Sequence, residues 1–128
     1  MNMYNINPQP IHKVKSVIYV CKKLASIVDD DENEITQYDE PKRYYFNVQP
    51  NKKKLYSEEF GKVVDADYRI VVNPKMKYLN EFNELDKVYF MKEPLEDEDY
   101  GESANYYITA VRPQNTIIEV YIKSIVEQ

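Results

Sequence analysis

The densest run of potential metal ligands in this chain is Asp29-Asp30-Asp31-Glu32-Asn33-Glu34, and the first chemistry it suggests is calcium coordination by oxygen. An EF-hand loop sets ligands at alternating positions, a glycine at the sixth and a bidentate glutamate at the twelfth. Counted from Asp29, the sixth residue is Glu34 and the twelfth is Glu40, with no glycine in the run. The run therefore reads as the solvated tip of a hairpin. His12, the only histidine, stands beside Ile11 in a proline-bearing stretch and reads as exposed. Cys21, the only cysteine, sits in an apolar pattern, as a small buried hydrophobe of a reducing compartment does. A strand does not bring these two together locally. Gly61 and Gly101 are the only glycines, too few for a phosphate-cradling loop, and the carboxylates gather in loops where solvent is their expected environment. The expectation is a non-enzyme with no cofactor and no metal.

Basic chemistry is concentrated at Lys52-Lys53-Lys54-Leu55-Tyr56, the nearest approach to the lysines interleaved with aromatics that a nucleic-acid surface needs. It falls in a loop, and the whole chain carries a net charge of −5. Broad grips on nucleic acid neutralise phosphates and are usually basic, so this balance argues against a dedicated nucleic-acid binder. The first residues contain no apolar signal core, and nowhere do roughly 18 uncharged apolar residues run together. A soluble, unexported protein with no membrane partner is expected.

The elements that would position these groups are short strands. Ser103 to Lys123 holds two runs rich in Tyr, Ile, Val and Thr around Pro113-Gln114-Asn115, the signature of an antiparallel hairpin. In its second run Ile118, Val120 and Ile122 alternate with Glu119, Tyr121 and Lys123, so the first three face a core and the others face solvent. Val14 to Val28 reads as one long strand, with a short helix as the alternative. Arg43 to Val48 places Tyr44, Phe46 and Val48 on one face, and Pro50 ends it. Val63 to Asn73 alternates at Tyr68, Ile70 and Val72. Met76 to Leu79 reads as a short strand or turn, and Lys87 to Met91 as a strand. Asn51 to Lys62 forms a long loop, with or without one helical turn at Ser57–Phe60. Glu93 to Glu102 is an exposed, mobile acidic loop.

About seven short strands and no long helix point to an all-β barrel or sandwich. At 128 residues the chain holds one domain, read as an N-terminal arm over residues 1–12 and a barrel over 13–128. The preferred fold is a small single-domain β-barrel, SH3- or OB-like, with long loops. Its core is expected to include Tyr44, Phe46, Val48, Ile70, Val72, Phe90, Ile108, Ile118, Val120 and Ile122. Thirteen tyrosines and no tryptophan supply amphipathic rings that suit interfaces as well as cores.

From Tyr38 to Lys123 the sequence resembles the small head-tail connector proteins of tailed bacteriophages, the stopper or head-closure group. The resemblance is carried by an ordered series: Tyr38-x-x-Pro41, Asn47-Val48-Gln49-Pro50, Phe60-Gly61, Tyr68-Arg69-Ile70-Val71-Val72, Asp86-Lys87-Val88-Tyr89-Phe90, Asn105-Tyr106-Tyr107-Ile108 and Asn115-Thr116-Ile117. Arg112-Pro113-Gln114 departs from the group's usual turn, and the N-terminal arm has no counterpart in it. The resemblance implies a homo-oligomeric ring, hexameric or dodecameric, in the virion neck. Such a ring is assembled in the host cytoplasm between portal and adaptor proteins above and a tail terminator or tail tube protein below, around packaged genomic DNA. It further implies that the loop from Gln49 to Lys62 reaches the channel. There Lys52, Lys53 and Lys54 would form a cationic collar while Glu58 and Glu59 meet a neighbour's lysines. An adaptor or tail-terminator ring protein, or a free-standing OB/SH3-like binding module, is the alternative.

Overall fold

The computed structural model describes residues 15–51 and 65–125. The regular elements there are β1 (Lys15–Cys21), β2 (Lys23–Val28), β3 (Glu34–Tyr38), β4 (Lys42–Pro50), β5 (Tyr68–Val72), a 3₁₀ turn (Lys75–Tyr78), β6 (Lys87–Phe90), β7 (Tyr106–Pro113) and β8 (Ile118–Ser124). Six strands close into an antiparallel barrel in the order β1-β4-β5-β8-β7-β6, because β6 pairs back onto β1. The remaining two, β2 and β3, form a separate two-stranded ribbon. The fold is thus the expected small all-β barrel.

Period-two alternation places the core. All ten expected core residues are buried, joined by Ile18, Val20, Val88 and Phe82 in one continuous cluster. Closure lets each strand send alternate side chains inward and leaves no unpaired edge in the wall. The chain from Asn73 to Asp86 crosses one mouth of the barrel between β5 and β6, and Phe82 and Tyr78 pack there on Tyr44 and Phe46, with ring centroids 5.0 Å apart for Tyr44–Phe82 and 5.1 Å for Phe46–Tyr78. Tyr68, Phe90 and Tyr106 stack edge to face at the opposite end, Tyr68–Phe90 at 4.8 Å. Cys21 is buried as expected, beside Tyr89 and Ala104 on the outer wall.

Several sequence expectations are corrected. The strand expected over Val14–Val28 is interrupted at Lys22, where the wall ends and the ribbon begins. Strand β4 runs on to Pro50, which pairs with Tyr68. Strand β5 starts only at Tyr68, and β6 stops at Phe90 because Met91 turns to a φ of 61°. Of the two readings of the Met76 region the turn holds, as a 3₁₀ turn over Lys75–Tyr78 that follows a cis Asn73–Pro74 bond.

The largest correction concerns the outer face of β8. Glu119 and Tyr121 are only 6% and 4% exposed. The chain entering β5 lies along β8, with Asp67 N–H donating to Ile122 C=O at 2.8 Å, and Ala66 packs on Tyr121. The Arg112 guanidinium sits 5.7 Å from the Tyr121 ring centroid, and Arg69 Nε donates to Glu119 Oε2 in an ion pair. The acidic loop is likewise more anchored than expected: Tyr89 Oη donates to Glu98 Oε2, and Gly101, at φ 83°, is buried against Lys87. A side chain at Gly101 would meet Lys87 Cγ at 3.2 Å in a backbone conformation that favours glycine.

Candidate assembly surface

The loop residues singled out from sequence, Lys52, Lys53, Lys54, Glu58 and Glu59, lie outside the described residues, as do His12 and the N-terminal arm. The two ends of the loop are held together: Asn51 N–H donates to Asp67 C=O at 3.0 Å, and Asn51 Nδ2 to Ala66 C=O at 3.1 Å. Among the described residues no group of three or more His, Cys, Asp or Glu side chains could hold a metal ion, and no helix is long and apolar enough to cross a membrane.

The most unusual feature is the ribbon. In the β1–β4 ladder the paired residue numbers sum to 62, from Lys15↔Asn47 to Val20↔Lys42. The same sum returns in the ribbon at Ser26↔Thr36, Ile27↔Ile35 and Val28↔Glu34, after a one-residue irregularity at Lys23↔Tyr38. Strands β2 and β3 therefore continue the β1–β4 hairpin past the end of the barrel, and Asp39 N–H donating to Lys22 C=O at 2.8 Å carries the ladder across the junction. At its root Tyr38 packs on Cys21, Tyr89 and Ala104, and past Tyr38 the ribbon is mostly exposed. Leu24, Ile27, Val28 and Ile35 are all exposed, Val28 at 67%. Ile27 and Ile35 are directly paired, so they stand side by side on one face.

The acidic run forms the tip, as expected. Its first carboxylate has a structural task, since Asp29 Oδ1 accepts from the backbone N–H groups of Asp31 at 2.9 Å and Asn33 at 2.8 Å. This is the local side-chain to backbone bonding that makes Asp a turn former. Asp30, Asp31 and Glu32 form no ion pair with described residues and present their charge outward.

The root of the ribbon is fixed by Asp86, which entered the sequence analysis only as part of the resemblance series. Its carboxylate is fully buried; Oδ1 accepts from Lys23 N–H at 2.8 Å and Oδ2 from Asn83 N–H at 3.0 Å. Lys23 is where the ladder shifts register, so Asp86 binds an N–H at the irregularity. Burial raises the Asp86 pKa above the ordinary aspartate value, against the downward pull of those two N–H groups and of Lys22 and Lys23. The only sequence signal was Asn83-x-x-Asp86 ahead of a strand, a pairing that many loops share.

Two clefts flank this end of the molecule. One, of about 370 Å³, lies on the outer wall beside the ribbon root and is lined by Glu40, Glu93, Glu96 and Glu98 together with Tyr19 and Tyr100. Its carboxylates repel phosphate, so this part of the wall does not offer a nucleic-acid surface. The other, of about 250 Å³, opens between the mouth-crossing segment and the turn joining β7 to β8. Exposed Leu79 lines it, and the ammonium groups of Lys75 and Lys77 are held next to it, at Gln114 C=O and at the Tyr78 ring. No family model, curated protein or solved structure matches this chain.

Proposed function

We propose that this chain is a structural ring subunit of a tailed-bacteriophage neck. In this reading it is a head-tail connector of the stopper or head-closure kind, joining the portal and adaptor rings to the tail and helping to close the DNA channel. Its work is assembly rather than catalysis. The observation that carries the reading is the ribbon: a covalent extension of a closed barrel, lying outside its core and exposing four large apolar side chains. A two-stranded hairpin is marginal by itself in water, and exposed apolar patches on otherwise polar surfaces mark contact sites. A ring subunit has use for such an arm, because its partners stand beside, above and below it.

A free-standing nucleic-acid module fits less well. The chain is acidic, and the outer-wall cleft is lined by glutamates. The acidic balance also means that like-charged subunits repel, so the isolated chain is expected to sediment mainly as a monomer at micromolar concentration and to form its ring on a pre-existing neck. The test of the reading is to image intact particles and locate this chain. A ring of it at the head-tail junction is expected; particles that lack it, or hold it elsewhere, would refute the assignment.

A further inference from the structure

The ribbon and the 250 Å³ cleft belong to the same end of the barrel, and the cleft runs from the mouth-crossing segment at Phe82 and Asn83 to β7 and β8 at Val111, Pro113 and Ile118. The ribbon leaves where β1 ends and β4 begins, and antiparallel pairing brings the end of β5, the end of β7 and the start of β8 to that end. In the closed order β1-β4-β5-β8-β7-β6, strands β8 and β7 stand across the barrel from β1 and β4. An arm and a receptor built from different surfaces make a head-to-tail contact, the kind that closes into a ring when rotation repeats it.

The two surfaces also match chemically. Phe82 and Ile118, both buried, are among the cleft's lining residues, with Tyr78 and Pro113; exposed Leu79 also lines it. Lys77 Nζ is held 5.4 Å from the Tyr78 ring centroid, and Lys75 Nζ donates to Gln114 C=O at 2.7 Å, so both ammonium groups are anchored beside the cleft. Neither forms an ion pair with a described residue, and Glu84 is the only carboxylate among the lining residues. On the ribbon, Val28 is the most exposed apolar side chain, and it directly precedes the acidic tip.

We propose that the ribbon of one copy docks into this cleft on a second copy, with Val28 filling the apolar floor and Asp30, Asp31 and Glu32 meeting Lys75 and Lys77. This rests on the ring reading and names the partner surface of the arm. The occupant is a second copy of this chain because one molecule carries both halves of the match, an acidic tip next to an exposed apolar side chain and an apolar cleft flanked by two ammonium groups.

The test is a disulfide cross-link between full-length Val28→Cys and Leu79→Cys chains. They would be mixed at the highest soluble concentration and, separately, co-assembled on necks. Cys21 stays in place: it is buried, and burial pushes its thiol up to about 11, which keeps it unreactive near neutral pH. A 28-to-79 adduct is expected in mixtures of the two variants. Its yield should fall about tenfold or more when the receiving chain also carries Lys75→Glu and Lys77→Glu, and return when the arm carries Asp30→Lys and Asp31→Lys. A 28-to-28 adduct alone would mean symmetric ribbon pairing and would overturn the proposal, as would no adduct in either preparation. A ring seen at the neck without the 28-to-79 adduct removes the docking and leaves the neck assignment. The adduct without any neck ring does the reverse.

Discussion

One ribbon of paired strands passes through two environments in this molecule. In its lower half, Ile18 on β1 is 1% exposed inside a closed barrel; in its upper half, past the irregularity at Lys23 and with the pairing sum restored, Ile27 on β2 is 46% exposed. Residue type is equal and strand pairing is equal, so neither decides burial. Closure does: β6 returns to cover the other edge of β1, whereas among the described residues no strand pairs with the other edge of β2. The barrel half therefore carries stability, and the projecting half is free to carry contacts.

The sharpest way to break this contrast is to cut the same kind of side chain in both halves. Ile122→Ala, at a fully buried position, should cost about 2 to 5 kcal/mol through lost transfer energy and a residual cavity. Ile27→Ala should cost less than about 1 kcal/mol in the isolated chain, since its side chain is already half in water. Denaturant midpoints compare the two directly, and equal losses would mean the ribbon is packed on something.

Glu119→Ala tests the covered outer face of β8. Removing one partner of a buried ion pair leaves the other charge unpaired, so a loss of about 3 kcal/mol is expected, although alternation alone would make this position harmless. A midpoint within error of the parent would show that the cover over β8 is open in solution.

Asp86 joins the two halves, and its variants should grade. Asp86→Ala abandons two partly buried hydrogen bonds and is expected to lose about 1 to 3 kcal/mol. Asp86→Asn can still accept one of them and should lose less. Amide exchange at Lys23 should quicken in the alanine variant before exchange in β1 does, reporting a loosened root.

The smallest effect belongs to Glu81 at the barrel mouth. Hydrogen bonds from Lys42 and Tyr44 hold its carboxyl below the ordinary glutamate value. A lowered folded pKa stabilises the fold at and above the ordinary glutamate value, and that stabilisation is lost as pH falls through the folded value. Melting midpoints should therefore decline on acidification more steeply in the parent than in Glu81→Gln. Parallel profiles would remove Glu81 from the account.

Much of the barrel was legible because its strands alternate: Tyr44, Phe46 and Val48, or Ile118, Val120 and Ile122, declare an inward face by type and spacing alone. The covered outer face was not legible. Glu119 and Tyr121 look like solvent-facing residues until the chain from Asp65 to Asp67 is known to lie across them, a long-range fact with no local trace. The break at Lys22 was hidden for a similar reason, since Val14 to Val28 is apolar on both sides of it and differs only in what stands opposite. The acidic tip was readable from Asp29 onward because a turn former there acts on its own backbone. The lysines at 52 to 54 were chosen by family resemblance and lie outside the described residues.

The central claim, that the barrel carries the fold while the ribbon carries assembly, is tested most directly in one full-length variant, Ile27→Ser with Ile35→Ser. It strips the paired apolar face and leaves the barrel untouched. Its melting midpoint and its occupancy at the neck of assembled particles would be measured together. The account predicts a midpoint close to the parent's with the ring lost from the neck. A folded variant that fills the neck as the parent does would contradict it.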